Sequence, residues 1–114
     1  MLFIRLGAGF GFLAVALGAF GTHGLRGVLS LHNMDIFQTA VTYMMYHALA
    51  LIGFGLLKPA RNWPGFAFAS GIVVFSGSLF LIVGTGNLNW GMVTPVGGVL
   101  FLAGWAGFLF EKIT

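Results

Sequence analysis

The sequence predicts an all-α integral membrane protein, a bundle of four transmembrane helices, and three observations carry that expectation. The 114-residue chain is 59% hydrophobic and only 6% charged, whereas roughly a quarter of a soluble domain's residues carry charge. Its apolar residues collect in four long runs, each able to cross a hydrocarbon layer of about 30 Å at a helical rise of about 1.5 Å per residue. It also holds 19 glycines, a residue commoner in membrane helices than in soluble ones. Four segments of this length cannot close a barrel, so helices remain the one way to satisfy the backbone in lipid. Residues 1–114 form a single membrane domain.

The first run extends from about Leu2 to Phe20. Ala16 and Gly18 offer only a weak cleavage-like pattern, and the run has the length of a first span, so it is read as one and not as a signal peptide. The second run extends from Ile36 to Leu57, with Asp35 and Gln38 as an acidic capping-box pattern at its start. Between these two, Leu25, Val28, Leu29 and His32 repeat at helical spacing within Gly21 to Asp35, which predicts a short interfacial helix. The third and fourth runs cover Gly65 to Gly84 and Met92 to Phe110. Pro64 and Pro95 fall in first turns, where a missing N–H costs little. Trp63 and Trp90 fall at interfaces, where amphipathic rings are favoured. The short connections Lys58 to Pro64 and Thr85 to Gly91 predict that the last three helices pack as antiparallel neighbours.

With four spans both termini share one side. That side carries Arg5, Lys58, Arg61 and Lys112, against Arg26 alone on the other. Basic residues concentrate on the cytoplasmic face, so both termini are expected there, or in the equivalent compartment of an organelle. The net charge of +3 forms no basic patch, and the expected partner is the bilayer and not nucleic acid. The absence of cysteine excludes disulfides and thiolate ligands.

The second helix carries the unusual chemistry. Gln38, Thr39, Thr42, Tyr43, Tyr46 and His47 are spaced three and four apart and form a polar stripe. His47 falls near the bilayer midplane, where an ionisable group is costly and is expected to face protein. Such a residue either anchors a ligand, metal, haem or proton site, or it is a neutral imidazole bonded to a Tyr, Thr, Ser or backbone carbonyl that holds helices together. The second reading is the simpler one. His23 and His32 make no metal spacing with His47, and the two carboxylates, Asp35 and Glu111, sit at helix ends, so no metal and no cofactor are predicted. A haem held by His23 and His47 would join residues at different depths.

Small-residue pairs four apart, Gly7 with Gly11, Ala67 with Gly71 and Ala103 with Gly107, predict close helix approach within the bundle or between copies. Ser70, Ser76, Ser78 and Thr94 can bond across helices or back to their own. No serine has a partnered base and acid, and there is no phosphate loop, dinucleotide fingerprint or carboxylate pair, so no enzymatic activity is expected. Small multidrug-resistance exporters share this size and span count, but cation export needs a membrane-embedded carboxylate that no span here contains.

The stretches Gly18 to Leu25, Phe37 to Val41 with Tyr43 and His47 to Ala50, Phe75 to Phe80, and Thr94 to Gly98 through Phe101 to Trp105 resemble the transmembrane protein 256 family. Bacterial members of that family are grouped as domain of unknown function 423. The resemblance covers nearly the whole chain. Thr22 stands where the family usually has alanine, Met44 where it often has glutamine, and Phe80 where it has tyrosine. The resemblance implies a multi-pass protein of the bacterial or mitochondrial inner membrane and implies no reaction. Two functions are therefore expected to compete. One is a structural or accessory protein that self-associates or docks on a larger membrane complex through its glycine-rich faces. The other is a small transporter or a binder of lipid, quinone, haem or metal, with a polar intramembrane site around His47.

Overall fold

The computed structural model describes residues 1–112. Among these residues four segments are long and apolar enough to span a bilayer. They are α1 (Leu2–Leu25), α2 (Leu31–Leu56), α3 (Trp63–Thr85), and a last span, Leu88–Leu109, in which a 3-10 turn at Leu88–Met92 leads into α4 (Thr94–Leu109). No strand occurs among the described residues. Both α1 and α3 contain one wide π-helical turn, at Leu17–Gly21 and at Ile72–Ser76 respectively. A turn of this kind shifts the helix face by one residue and is frequent at functional sites.

The helix ends differ from the sequence expectation where local chemistry decides them. Ser30, in an extended conformation, accepts the Asn33 N–H at 3.1 Å on its hydroxyl oxygen. This cap starts α2 at Leu31, so Asp35 lies inside the helix and does not cap it. At the other side of the turn, α1 continues to Leu25. The residues expected in a separate interfacial helix are thus divided between α1, α2 and a five-residue turn, Arg26 to Ser30, in which Gly27 takes φ +82°. Gly86 ends α3 in the left-handed region, with its N–H on the Ile82 carbonyl at 2.9 Å. Pro64 and Pro95 stand in the first turns of α3 and α4, as their missing N–H groups favour.

The helices pack in chain order. α1 lies along α2, α2 against α3, and α3 along α4. Phe54, Phe68, Leu51 and Ile72 form the fully buried centre. The small-residue faces are consumed here: a Cβ on Gly7 would fall 2.6 Å from the Ala48 carbonyl oxygen of α2, and one on Gly107 2.5 Å from the Pro64 ring of α3. Ser76 donates to the Ala40 carbonyl across the α3–α2 contact at 2.7 Å, while Ser78 and Thr94 share a hydrogen bond between α3 and the start of α4. Ser70 turns back to the Phe66 carbonyl of its own helix. At one end, Arg61 reaches the last turn of α4, donating to the Gly107 and Phe110 carbonyls and pairing with Glu111 at 3.3 Å. A cation there complements the helix C-terminus. The molecule is flattened, 50 × 27 × 17 Å, and α4 reaches α2 through large aromatic side chains such as Phe108 on Phe54.

Candidate functional site

His47 lies in the middle third of α2 and is only 4% exposed. Its Nδ1 is 2.7 Å from the Tyr43 carbonyl oxygen, one turn back on the same helix. Trp105, from α4, directs its indole N–H at the other ring nitrogen, Nε2, at 3.0 Å. An indole nitrogen can only donate, so Nε2 must accept and the ring proton is assigned to Nδ1, where it donates to Tyr43. His47 is therefore neutral, with both nitrogens engaged. Phe101 stacks on the imidazole, 3.5 Å between ring centres and 7° from parallel, and Phe68 of α3 stands 5.8 Å away. The residue binds three helices together, and in this arrangement it has no lone pair free for a metal or haem iron.

The rest of the polar stripe lies elsewhere. Gln38, Thr39, Thr42, Tyr43 and Tyr46 are exposed on the outer arc of α2. Among the described residues the side-chain hydrogen bonds between helices run through His47, Ser76, Ser78, Thr94, Arg61 and Trp105, and none involves the side chains of these five. The stripe turns gradually around the helix because steps of three and four residues do not close a full turn, and only its His47 edge reaches the interior. His23 is exposed in the last turn of α1, and His32 is exposed in the first turn of α2. Gly21, just before His23, packs on Phe37, ten residues before His47, or about 15 Å along the helix. The structure does not bring His23 and His47 together. No group of three or more His, Cys, Asp or Glu with metal-holding geometry occurs among the described residues.

Beside His47 a groove of about 530 Å³ runs between α2 and α4. Tyr43, Tyr46 and Leu49 form one wall, Phe101, Leu102 and Trp105 the other, and Gly98 and Phe75 complete it. Phe75 comes from the π-helical turn of α3, and Gly97 admits its backbone against α4. The sequence reading did not select Trp105, Phe101 or Phe75 for this site. The signal for Trp105 was its place deep in an apolar run, away from the interfaces that favour tryptophan.

Residues 17–98 match the family described as "Protein of unknown function (DUF423)". The chain belongs to this family. It is 46% identical to a UPF0382 membrane protein of Staphylococcus aureus over 108 residues, covering 91% of this chain and 88% of the relative. A UPF0382 membrane protein of Staphylococcus epidermidis is 47% identical, with the same coverage. One of Staphylococcus saprophyticus is 44% identical, covering 91% of this chain and 90% of the relative. No solved structure matches significantly. The four spans and the bacterial membrane relatives agree: the chain is a multi-pass membrane protein of a family without an assigned function.

Proposed function

We propose that this protein is a structural or accessory membrane component, not an enzyme, and that it self-associates through the Gln38, Thr39 and Thr42 part of the outer arc of α2. The observation that supports this is the exposure of Gln38, Thr39 and Thr42 within a membrane span, with no hydrogen bond to another helix among the described residues. Transfer of an unpaired amide or hydroxyl from water to hydrocarbon costs roughly 4–8 kcal/mol, so such a face is relieved by another polar face. A second copy related by a two-fold axis offers the same groups to itself. Each hydrogen bond gained between membrane helices adds only about 0.6 kcal/mol on average, which fits a reversible association. The glycine spacings do not serve this role, because Gly7, Gly71 and Gly107 already meet neighbouring helices inside the bundle.

The test is cysteine cross-linking in native membranes. Gln38→Cys or Thr42→Cys should give a disulfide-linked dimer, the chain having no cysteine of its own. A control cysteine at Phe12, exposed on α1, should not. Equal cross-linking from both faces, or none from α2, would remove the proposal. The ligand-binding alternative is supported by the groove beside His47 and not by the imidazole itself, whose nitrogens are occupied.

A further inference from the structure

The groove between α2 and α4 has a chemistry of its own, and this inference rests on the ligand-binding alternative, independently of self-association. Tyr43 lies at the middle of α2, Phe75 at the middle of α3 and Gly98 at the middle of the last span. The groove is therefore centred near the bilayer midplane. Its walls are aromatic faces and edges, from Phe75, Phe101 and Trp105. With the ring nitrogens of His47 and Trp105 already engaged, its remaining polar groups are the phenols of Tyr43 and Tyr46, whose rings stand 5.8 Å apart and are 40% and 57% exposed. Neither hydroxyl takes part in the hydrogen bonds that join the helices.

We propose that this groove binds a neutral, membrane-dissolved planar ring carrying carbonyl acceptors, the chemistry of a quinone. Flat aromatic walls complement a planar ring in stacked or edge-on contact. The two phenols can donate to ring carbonyls, which satisfies them in a medium that offers no water. The depth selects against a phospholipid as the specific occupant, because its polar groups stay near the surface of a hydrocarbon layer about 30 Å thick. A charged ligand finds no counter-ion, since the spans carry no ionised side chain at this level. The volume of about 530 Å³ admits a ring with the beginning of an apolar tail, and the open side of the groove leaves the remainder of the tail in lipid.

The experiment uses the full chain in lipid nanodiscs with Trp63→Phe and Trp90→Phe, so that Trp105 is the sole tryptophan and its indole is excited selectively over Tyr43 and Tyr46. The probe is a naphthoquinone bearing one isoprenyl unit. Saturable quenching of Trp105 is expected, and Tyr43→Phe with Tyr46→Phe should weaken it about tenfold or more, as the loss of two hydrogen bonds requires. The same titration in Gln38→Leu with Thr42→Val, which targets association, should leave the affinity unchanged. Quenching that rises linearly with quinone in the membrane, or equal affinity in the Tyr→Phe variant, would overturn the proposal. So would a co-purified phospholipid in the groove that the quinone fails to displace. Absence of cross-linking in the protein that lacks these two substitutions, with quinone binding intact, would count against self-association alone.

Discussion

His47 derives its role from the geometry around one ring. Two hydrogen bonds of 2.7 and 3.0 Å and a stacked phenylalanine hold it in the neutral form, between a carbonyl of its own helix and an indole of another. Trp105→Phe keeps an aromatic ring in place but removes the donor to Nε2. It is expected to destabilise the protein by about 1–3 kcal/mol, the cost of a buried acceptor left unpaired. His47→Leu combined with Trp105→Phe removes both polar groups, and that pair should cost less than the sum of the single changes. Unfolding in mixed micelles of increasing denaturing detergent, followed by circular dichroism, measures both. That a histidine at this depth needed protein around it was legible from the apolar run it interrupts. Its partner was not, because Trp105 lies 58 positions away in the chain.

The helices were legible as spans, and their ends less so. Proline and tryptophan marked the starts of α3 and α4, but Ser30 outcompeted the Asp35–Gln38 pattern for the cap of α2. The two π-helical turns left no reading in the pattern of apolar residues, since nearly every position in α1 and α3 is apolar whichever way it faces. Adjacent glycines on α4 separate packing from propensity. A Cβ at Gly97 would collide with the backbone of Phe75 in the π turn of α3, whereas one at Gly98 meets nothing within 4 Å. Gly97→Ala is therefore expected to cost about 1–3 kcal/mol by overpacking against a backbone that cannot move aside. Gly98→Ala should be neutral or stabilising by up to about 1 kcal/mol, through helix propensity. The same micelle titration distinguishes the two.

The assembled molecule has an outer surface that the bilayer covers unevenly. Apolar side chains such as Phe12, Val73, Val99 and Leu102 are exposed and suit lipid, while the arc of Gln38, Thr39 and Thr42 does not. We expect both termini to face the cytoplasm, because Arg5, Lys58, Arg61 and Lys112 share their side of the membrane and Arg26 stands alone on the other. Alkaline phosphatase, active only outside the cytoplasm, should be inactive when fused at the C-terminus and active when inserted at Gly27. The reverse pattern would invert the topology. Arg61 contributes to that charge count although it is engaged with Glu111, because orientation follows the basic residues and acidic ones weigh little in it.

Composition and the length of apolar runs were sufficient for the class of solvent and the number of spans, since lipid imposes its demands on every residue that crosses it. The resemblance to an uncharacterised membrane family rested instead on ordered motifs such as Gly18 to Leu25 and Thr94 to Gly98. The uniformity that lipid imposes hides orientation around each helix. Where nearly all side chains are apolar, periodicity cannot say which face meets lipid and which meets protein. Contacts between distant segments settled that question: they turned Gly7, Gly71, Gly97 and Gly107 inward, placed His47 under Trp105, and left Gln38, Thr39 and Thr42 of α2 on the outside.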